Sequence, residues 1–548
     1  MNIETRVLSC MEKVFLDDAP DINTLDYQGF QNETIDFQVA FRAMDARWEE
    51  VRVQLESELK SCVSIRQVKQ VPVQYAMPDD AKEDCLRTAP GLYPDLLSSI
   101  GPHSLHISPR WTALWLRVKP SQKIKPGSYL IHISLYGSDG LAYPVSTVRV
   151  DILPGMLPPQ KLIHTKWFHC DCLSQYYHTE VYSERHWQII ENFIRKAVDG
   201  GINMILMPVH TPPLDTRPGG ERLTTQLVAI TVDNGNYLFD MSLVRRWIAL
   251  CKKCGVAYYE IAHLFTQWGA EHAPKIMATI DGEYKQIFGW DTDAAGDEYG
   301  RFLRAYIPAL RACFQEEGIE ENVYWHISDE PSQEQLASYA AARNQVIGLL
   351  SRCHIMDALS NLNFYCQGLV STPIPANDAI APFLEAGIKG LWTYYCCAQT
   401  RKVSNMFIAL PSWRNRILGV QLFQYEIAGF LQWGYNFYNS HLSDQPINPY
   451  LTTDADGWVP AGDPFQVYPG SDGMPEESIR MAVTSQALQD LRALEMLSQR
   501  AGREAVLHLI NEGLEKPITF SEYPRGAEYL LHLRQRVNKE ILRFSNAV

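Results

Sequence analysis

Two adjacent carboxylic acids, Asp329 and Glu330, have the residue types and the setting that acid–base chemistry requires. They follow a short apolar and aromatic run, Val323–Ile327, and precede Pro331 and a helix-forming stretch. The run is typical of a buried strand. Enzymes of the α/β class carry catalytic side chains at such strand-to-helix turns. Two neighbouring acids, one protonated and one ionised, can act as proton donor and electrostatic stabiliser.

The same turn has a simpler explanation as the start of a helix. Asp and Ser are common helix caps, and Pro331 is suited to the first helical turn. For such a turn taken alone, capping is the commoner role. The context favours chemistry, because the acids follow an aromatic strand and because later predicted strands also end in Trp and Tyr.

Composition limits the partners of the chain. It has 548 residues, enough for two or three domains, and a hydrophobic content of 46% that provides a large core. The net charge of −14 argues against nucleic acid and anionic membrane surfaces as main partners. We expect no membrane insertion, because no segment reaches 18 consecutive apolar residues. Twelve scattered cysteines and an N-terminus without a signal-peptide pattern predict a cytoplasmic location.

The first 157 residues have the pattern of a β domain. Alternating apolar and polar residues recur over 48–55, 104–108 and 147–153, the segment 112–118 follows the second of these, and Gly and Pro turns lie between them. Short alternating strands at this spacing predict an antiparallel β-sandwich over residues 1–157. The proline-rich segment 153–159 is a natural boundary.

From about residue 158 the pattern changes to alternating strands and helices, which favours a parallel sheet. Eight strand candidates predict a TIM-type (β/α)8 barrel over 158–500, with C-terminal helices over 501–548 packed on its wall. A doubly wound sheet is the alternative, but no G-x-G-x-x-G follows the first strand. The candidates are Leu162–Phe168, Met204–Pro208, Val256–Ile261, Val323–Ile327, His354–Leu359, Gly390–Tyr395, Gly429–Tyr435 and Phe465–Tyr468.

Four motifs resemble one family of enzymes. They are WHISDEP (325–331), LWTYYCC (391–397), GFLQWGYN (429–436) and GDPFQVYPG (462–470). Together they are similar to the barrel signatures of the family 123 glycoside hydrolases, the β-N-acetylgalactosaminidases, and of relatives that share their catalytic domain. The resemblance covers roughly residues 160–500. It implies a carbohydrate substrate and no cofactor.

The resemblance further implies retaining, substrate-assisted hydrolysis by an exo-acting enzyme that removes terminal β-linked N-acetylgalactosamine (GalNAc). The 2-acetamido oxygen of the sugar attacks C1 and forms an oxazolinium intermediate, which water then opens. Glu330, carried over from the family motif, would protonate the leaving oxygen and later deprotonate water. Asp329, ionised, would accept the acetamide N–H and stabilise the developing charge.

Further residues near the predicted strand ends are candidates for binding the sugar. Trp392, Tyr394 and Trp433 would provide an aromatic wall, although aromatic strand residues also commonly fill a core. Weaker candidates for contacts with hydroxyl groups are Gln267, Asn363, Tyr365 and His210.

We predict no metal site. His164, His169, His210 and His263 fall near the first three strand ends, but the chain has neither H-E-x-x-H nor a paired C-x-x-C.

Two rival functions remain open. One is a glycosidase for sugars without a 2-acetamido group, with Glu260 or Glu426 as nucleophile. The other is a non-catalytic carbohydrate-binding protein on the same fold. The sequence does not distinguish GalNAc from N-acetylglucosamine (GlcNAc), and it does not define the aglycone or the oligomeric state.

Overall fold

The computed structural model describes residues 2–21, 27–45, 49–101, 105–137 and 140–545. Its N-terminal part consists of two sheets that share one core. The strands of this part are β1 (Ile3–Ser9), β2 (Tyr27–Phe30), β3 (Ile35–Ala43), β4 (Glu49–Glu56), β5 (Val63–Val73), β6 (Gly91–Ser99), β7 (Leu105–Ile107), β8 (Thr112–Val118), β9 (Gly127–Gly137) and β10 (Ala142–Leu153).

The remaining strands lie between residues 163 and 478. They are β11 (Ile163–Lys166), β12 (Met204–Met207), β13 (Ala229–Asp233), β14 (Asn236–Asp240), β15 (Tyr258–Ile261), β16 (Ile276–Ile280), β17 (Glu283–Phe288), β18 (Val323–Trp325), β19 (His354–Ala358), β20 (Thr372–Ile374), β21 (Trp392–Tyr394), β22 (Gly429–Gln432), β23 (Val467–Pro469) and β24 (Pro475–Ser478).

The helices lie between these strands and at the C-terminus. They are α1 (Cys170–Tyr176), α2 (Glu184–Asp199), α3 (Ser242–Cys254), α4 (Asp297–Glu316), α5 (Leu336–Val346), α6 (Leu362–Cys366), α7 (Ala381–Glu385), α8 (Trp413–Arg416), α9 (Leu418–Gln424), α10 (Ile479–Ala501), α11 (Arg503–Asn511) and α12 (Ala527–Ser545).

The two N-terminal sheets pack face to face, and the apolar side chains on their inner faces form one core. The five-stranded sheet has the order β2-β10-β9-β4-β7, with one parallel pair, β2 and β10. The seven-stranded sheet has the order β1-β3-β8-β5-β6-β24-β23. Phe37 and Leu116 from the larger sheet and Ile133 and Val150 from the smaller one belong to the same buried cluster.

Eight parallel strands form a nearly closed barrel in chain order: β11, β12, β15, β18, β19, β20, β21 and β22. The ring continues from β22 back to β11, where Ile163 pairs with Gly429. Across the seam between β20 and β21, Tyr394 N donates to Pro375 O at 3.2 Å and Asn377 N donates to Tyr394 O at 2.9 Å. The outer helical layer is thin beside this seam, because α6 and α7 have only five residues each.

Two of the strand predictions need correction. The segment Phe465–Tyr468 is not the eighth barrel strand: β23 pairs antiparallel with β24, which continues the seven-stranded N-terminal sheet through β6. The sixth barrel position belongs to β20, which was not predicted, because prolines at 373 and 375 flank Ile374 and Pro argues against a central strand. The strands predicted around Trp392 and Gly429 therefore come seventh and eighth.

Buried ion pairs join the C-terminal helices to the N-terminal sheets and to the helices around the barrel. Arg534 of α12 donates to Asp490 of α10 at 2.9 Å and to Glu33, after β2, at 2.6 Å. Asp490 also accepts from Arg416 of α8 at 2.7 Å. Removing one member of such a network leaves a buried charge without a partner.

Candidate active site

Asp329 and Glu330 lie at the carboxyl end of β18, where the chain turns outward. The Asp329 carbonyl accepts a hydrogen bond from Trp268 N at 2.9 Å, and Glu330 N donates to Ala358 O, at the end of β19, at 3.0 Å. The neighbouring strand ends therefore fix the turn on both sides. Glu330 has a φ of 45°, a left-handed conformation that costs a residue with a side chain about 1 kcal/mol or more. Backbone strain of this kind is concentrated at functional sites.

The capping role in this turn belongs to Ser332. Its side chain and that of Gln335 form a reciprocal capping box around the short helix 333–335, and Ser332 N donates to Gln335 Oε1 at 2.9 Å. Asp329 and Glu330 are therefore not needed as caps. Both line a pocket at this end of the barrel.

The pocket is open to solvent, has a cavity volume of about 90 Å³ and has aromatic walls. Asp329 is buried, whereas Glu330 keeps contact with solvent at the mouth. Aromatic rings around carboxyl groups are what a pyranose needs, because its C–H faces are apolar and its edges carry hydroxyls. The walls are formed by Trp167, Asp215, Gln267, Trp268, Asp329, Glu330, Ala358, Tyr394, Cys396, Cys397, Leu431, Trp433 and Trp458.

The two acids have different hydrogen-bond partners. Gln267 Nε2 donates to Asp329 Oδ2 at 2.8 Å, and the Tyr394 hydroxyl donates to Glu330 Oε1 at 2.5 Å. Burial, and then the charge of Glu330, raise the pKa of Asp329 well above its ordinary range. Burial also raises the pKa of Glu330; the hydrogen bond from Tyr394 opposes this effect and the charge of Asp378 adds to it. Two acids this close lose their protons as a coupled pair, so the second ionisation is pushed to higher pH.

A third carboxylate, Asp215, lies in the same wall and was missed in the sequence. It follows β12 through the segment Pro212-Pro213-Leu214, and only 7% of it is exposed. Burial raises its pKa to about 7, with Arg222 opposing and Glu330 adding to the shift. A carboxylate shortly after a barrel strand was the available signal, but the two prolines made the segment look like a plain loop.

Beneath the pocket, a charged histidine is held between two carboxylates in the barrel core. His326 Nε2 lies 2.6 Å from Glu260 Oε1, and its Nδ1 lies 3.1 Å from Asp357 Oδ1. Although burial opposes it, these hydrogen bonds raise the pKa of His326 to about 9. The His263 ring stacks on that of His326 with centroids 4.0 Å apart. The positive charge of protonated His326 lowers the pKa of nearby Asp329 and so favours its ionised form.

This arrangement bears on a metal site. Among the residues that the structure describes, His263, His326 and Asp357 bring possible ligand atoms within 4.8 Å of one another. However, both ring nitrogens of His326 already face carboxylates. A protonated imidazole has no lone pair to give to a metal.

Neither candidate for an alternative nucleophile lines the pocket. Glu260 is fully buried beneath it and accepts hydrogen bonds from Thr165 Oγ1 at 2.5 Å and Trp167 Nε1 at 2.7 Å. Glu426 precedes β22, at the opposite end of the barrel, and lines a separate cavity with Arg503.

The predicted sugar-binding residues separate into two groups. Tyr394, Trp433 and Gln267 line the pocket. Trp433 is fixed by a hydrogen bond from its Nε1 to Asp463 Oδ2 at 2.6 Å. The Gln267 amide is held between two partners, since its Oε1 accepts from Asp215 N at 2.5 Å.

The other four predicted residues lie outside the pocket walls. Trp392, at the start of β21, packs in a buried cluster against Tyr324. His210 Nε2 lies 2.8 Å from the carbonyl oxygen of His263, in the core. Asn363 and Tyr365 are on α6, where Asn363 Nδ2 donates to Gln333 Oε1 at 3.0 Å.

Trp458 is a wall residue that the sequence did not suggest. It belongs to the long connection after β22, and its ring stacks on His441 with centroids 4.3 Å apart. Its ring also lies 6.0 Å from that of Trp433. No periodic pattern marks a residue of this kind, because it lies in a loop.

The fold and the pocket together give a parallel barrel with acids and aromatic rings near the carboxyl ends of its strands. Residues 167–497 match the model of a protein family described as glycoside hydrolase 123, catalytic domain. The match covers more than half of the chain, and the chain therefore belongs to the glycoside hydrolase 123 family. The expected family is confirmed, and the substrate is a carbohydrate.

A solved structure shares the fold over the whole chain. A family 123 glycoside hydrolase from Clostridium perfringens, analysed for glycolipid glycan hydrolysis, is 14% identical, with a TM-score of 0.75. The alignment covers 100% of this chain and 99% of that one. A β-glucuronidase from Parabacteroides merdae is 10% identical over 89% of this chain and 51% of that one, with a TM-score of 0.30. A comparison with curated proteins finds no match.

Within the described ranges, none of the helices combines the length and the apolarity that crossing a membrane requires.

Proposed function

We propose that this protein is a retaining exo-glycosidase that removes terminal β-linked N-acetylgalactosamine by substrate-assisted catalysis on a (β/α)8-type barrel. One observation carries the proposal: Asp329 and Glu330 line one aromatic-walled pocket but have separate hydrogen-bond partners. Two acids in different settings can have different protonation states and therefore different roles.

The chemistry proceeds in two displacements at C1 of the sugar. The acetamido oxygen forms a bond to C1 while the bond from C1 to the aglycone oxygen breaks, and Glu330 gives that oxygen its proton. The product is an oxazolinium ring. Glu330, now ionised, takes a proton from water as the water attacks C1 and opens the ring. Two inversions return the β configuration.

The contacts of Asp329 suit the role of amide clamp. Gln267 donates to Oδ2, and Oδ1 has no partner among the described residues, so that Oδ1 is free to accept the acetamide N–H. That hydrogen bond favours ionised Asp329 and leaves the shared proton on Glu330. His326 adds to the same preference, because its positive charge lowers the pKa of Asp329.

The remaining walls suit a single terminal sugar. Trp167 and Trp433 both line the pocket, and a hydrogen bond from each indole holds the ring in place. A rigid aromatic ring can pack on a pyranose face with little loss of side-chain entropy on binding.

Four aryl β-glycosides test the proposal: the GalNAc, GlcNAc, galactoside and glucoside substrates, each with and without a thiazoline that mimics the oxazolinium. We expect cleavage of the 2-acetamido substrates, with GalNAc preferred, and inhibition by the thiazoline. Cleavage of plain hexosides without thiazoline inhibition would show instead a carboxylate nucleophile. Binding without cleavage of any substrate would show a carbohydrate-binding protein.

A further inference from the structure

Asp215 is a buried carboxylate with no assigned role. It lines the pocket with Asp329 and Glu330, and only 7% of it is exposed. Among the described residues, neither of its side-chain oxygens has a hydrogen-bond partner. Burying a carboxylate without donors is unfavourable unless a ligand or solvent supplies them.

The backbone of Asp215 is held in a strained conformation. Its φ is 45°, in the left-handed region. Asp215 N donates to Gln267 Oε1 at 2.5 Å, and Asp215 O accepts from Ser443 Oγ at 2.7 Å. Asp tolerates this region better than most residues, but the conformation still carries a cost that the surrounding contacts offset.

The surrounding loop is fixed from below by Arg222. Its Nε donates to Asp171 Oδ2 at 2.7 Å, one of its terminal nitrogens lies 2.9 Å from His169 Nδ1, and another donates to Leu214 O. All three groups are buried. The residue before Asp215 is therefore anchored to the barrel, and the Asp215 side chain is pre-positioned at the pocket.

The chemistry of the pocket limits what Asp215 can bind. The only donors that an uncharged terminal sugar presents, besides its acetamide N–H, are its hydroxyls. An ionised carboxylate accepts two hydrogen bonds from adjacent hydroxyls, and a site built this way rejects sugars that lack them. Asp329 reaches the C2 substituent in the proposed mechanism, so that the C3, C4 and C6 hydroxyls remain.

We propose that Asp215 is a specificity-determining residue that binds one or two of the C3, C4 and C6 hydroxyls of the terminal sugar, away from the acetamido group. The inference rests on the proposed function for the identity of the pocket as the active site. It adds the residue by which the enzyme selects the sugar configuration. Gln267 links this contact to the acetamide clamp, because its side chain contacts both Asp215 and Asp329.

The test pairs variants of Asp215 with deoxy sugars. Asp215→Gly removes the side chain at no backbone cost, since Gly adopts positive φ freely, and Asp215→Asn keeps the shape without the charge. Asp444→Asn is the matched control: Asp444 pairs with Arg217 near the same loop but does not line the pocket. Each protein is assayed for kcat/KM on aryl β-GalNAc and its 3-, 4- and 6-deoxy analogues.

For wild type, we expect loss of one particular hydroxyl to lower kcat/KM about 10–100-fold, the range for a hydrogen bond to a charged group. Asp215→Gly should lower kcat/KM on the parent substrate by a similar factor. For Asp215→Gly, kcat/KM on that deoxy analogue should equal its kcat/KM on the parent substrate, because the hydrogen bond that the hydroxyl would make to Asp215 is already absent. Asp444→Asn should keep the wild-type pattern. The proposal is overturned if Asp215→Gly lowers kcat/KM equally on all substrates, so that removing each hydroxyl lowers kcat/KM by the same factor in Asp215→Gly as in wild type.

Failure of the proposed function gives a different result. If wild type cleaves only plain hexosides, the same comparison is made on the galactoside and its deoxy analogues, which carry the same hydroxyls. If Asp215→Gly then abolishes cleavage of every substrate, Asp215 is a nucleophile and not a specificity residue. If nothing is cleaved, calorimetric titration with methyl β-GalNAc and its deoxy analogues decides. Equal binding by wild type and Asp215→Gly would exclude the contact.

Discussion

Removing the Tyr394 hydroxyl is expected to shift the pH dependence of the reaction in one direction. That hydroxyl donates to Glu330 Oε1 at 2.5 Å and so stabilises the ionised form of Glu330. As general acid, Glu330 must be protonated, and kcat/KM must fall as the pH rises through its pKa. Tyr394→Phe removes the donor and raises that pKa. The alkaline limb of the profile should therefore move to higher pH.

The size of the shift follows from the hydrogen bond. A hydrogen bond to a charged group contributes about 1.5–3 kcal/mol, and 1.36 kcal/mol corresponds to one pKa unit. Glu330 keeps contact with solvent at the pocket mouth, so that water replaces part of the lost stabilisation. We therefore expect the lower end of the range, a shift of about one pH unit.

The assay is the profile of kcat/KM against pH on an aryl β-GalNAc substrate. Tyr395→Phe is the matched control, because Tyr395 follows in the chain, packs against Phe430 and does not line the pocket. Tyr395→Phe should leave the limb in place. An alkaline limb that stays fixed or moves to lower pH in Tyr394→Phe would refute the assignment of Glu330 as the acid.

Three further predictions concern the acids and the residues that hold them. Glu330→Gln should lower kcat about 10²–10⁴-fold on alkyl glycosides and much less on a substrate with a very good leaving group. Asp329→Asn should lower kcat with every leaving group. Steady-state kinetics on a series of leaving groups checks both expectations. Gln267→Met should raise the pKa of Asp329, because the amide donates to the carboxylate at 2.8 Å, and the acidic limb of the profile should move upward. His326 has a pKa of about 9, above its ordinary 6.5. Its charge therefore stabilises the fold by about 3 kcal/mol below pH 6.5, and this contribution is lost as the pH rises through 9. Thermal unfolding should show this alkaline loss in wild type and a smaller one in His326→Gln.

Strong local patterns made much of the barrel predictable. The strand Val323–Trp325 has a run of apolar and aromatic residues, and the turn after it carries the acids. The strand Thr372–Ile374 could not be found this way, because it has three residues and an internal proline. Its place is set by pairing with β19, which is a tertiary effect that local propensity does not report.

The error at Phe465–Tyr468 has a related cause. The segment has the apolar pattern of a buried strand, and the strand that forms there, β23 (Val467–Pro469), is buried. The pattern does not say which sheet a strand joins. Here the partner is β24, close by in the chain, and this pair extends a sheet whose other strands all lie within residues 3–118.

The candidate site was accessible from the sequence only where it follows strands. Asp329, Glu330, Tyr394 and Trp433 follow or end barrel strands and meet because parallel strands place their carboxyl ends together. Trp392 has the same residue type as Trp433 but lies at the other end of its strand, and it fills the core. Asp215 and Trp458 reach the pocket from loops, whose course depends on anchors such as Arg222 that are distant in the chain.

The central claim is that the acetamido group of the substrate is itself the nucleophile and that Asp329 and Glu330 assist it. Aryl β-GalNAc substrates whose N-acetyl group carries zero, one, two or three fluorine atoms test this most directly, since each fluorine weakens the attacking oxygen and barely changes its size. The account predicts a steep decrease of kcat/KM along the series. A series in which kcat/KM does not change would contradict it.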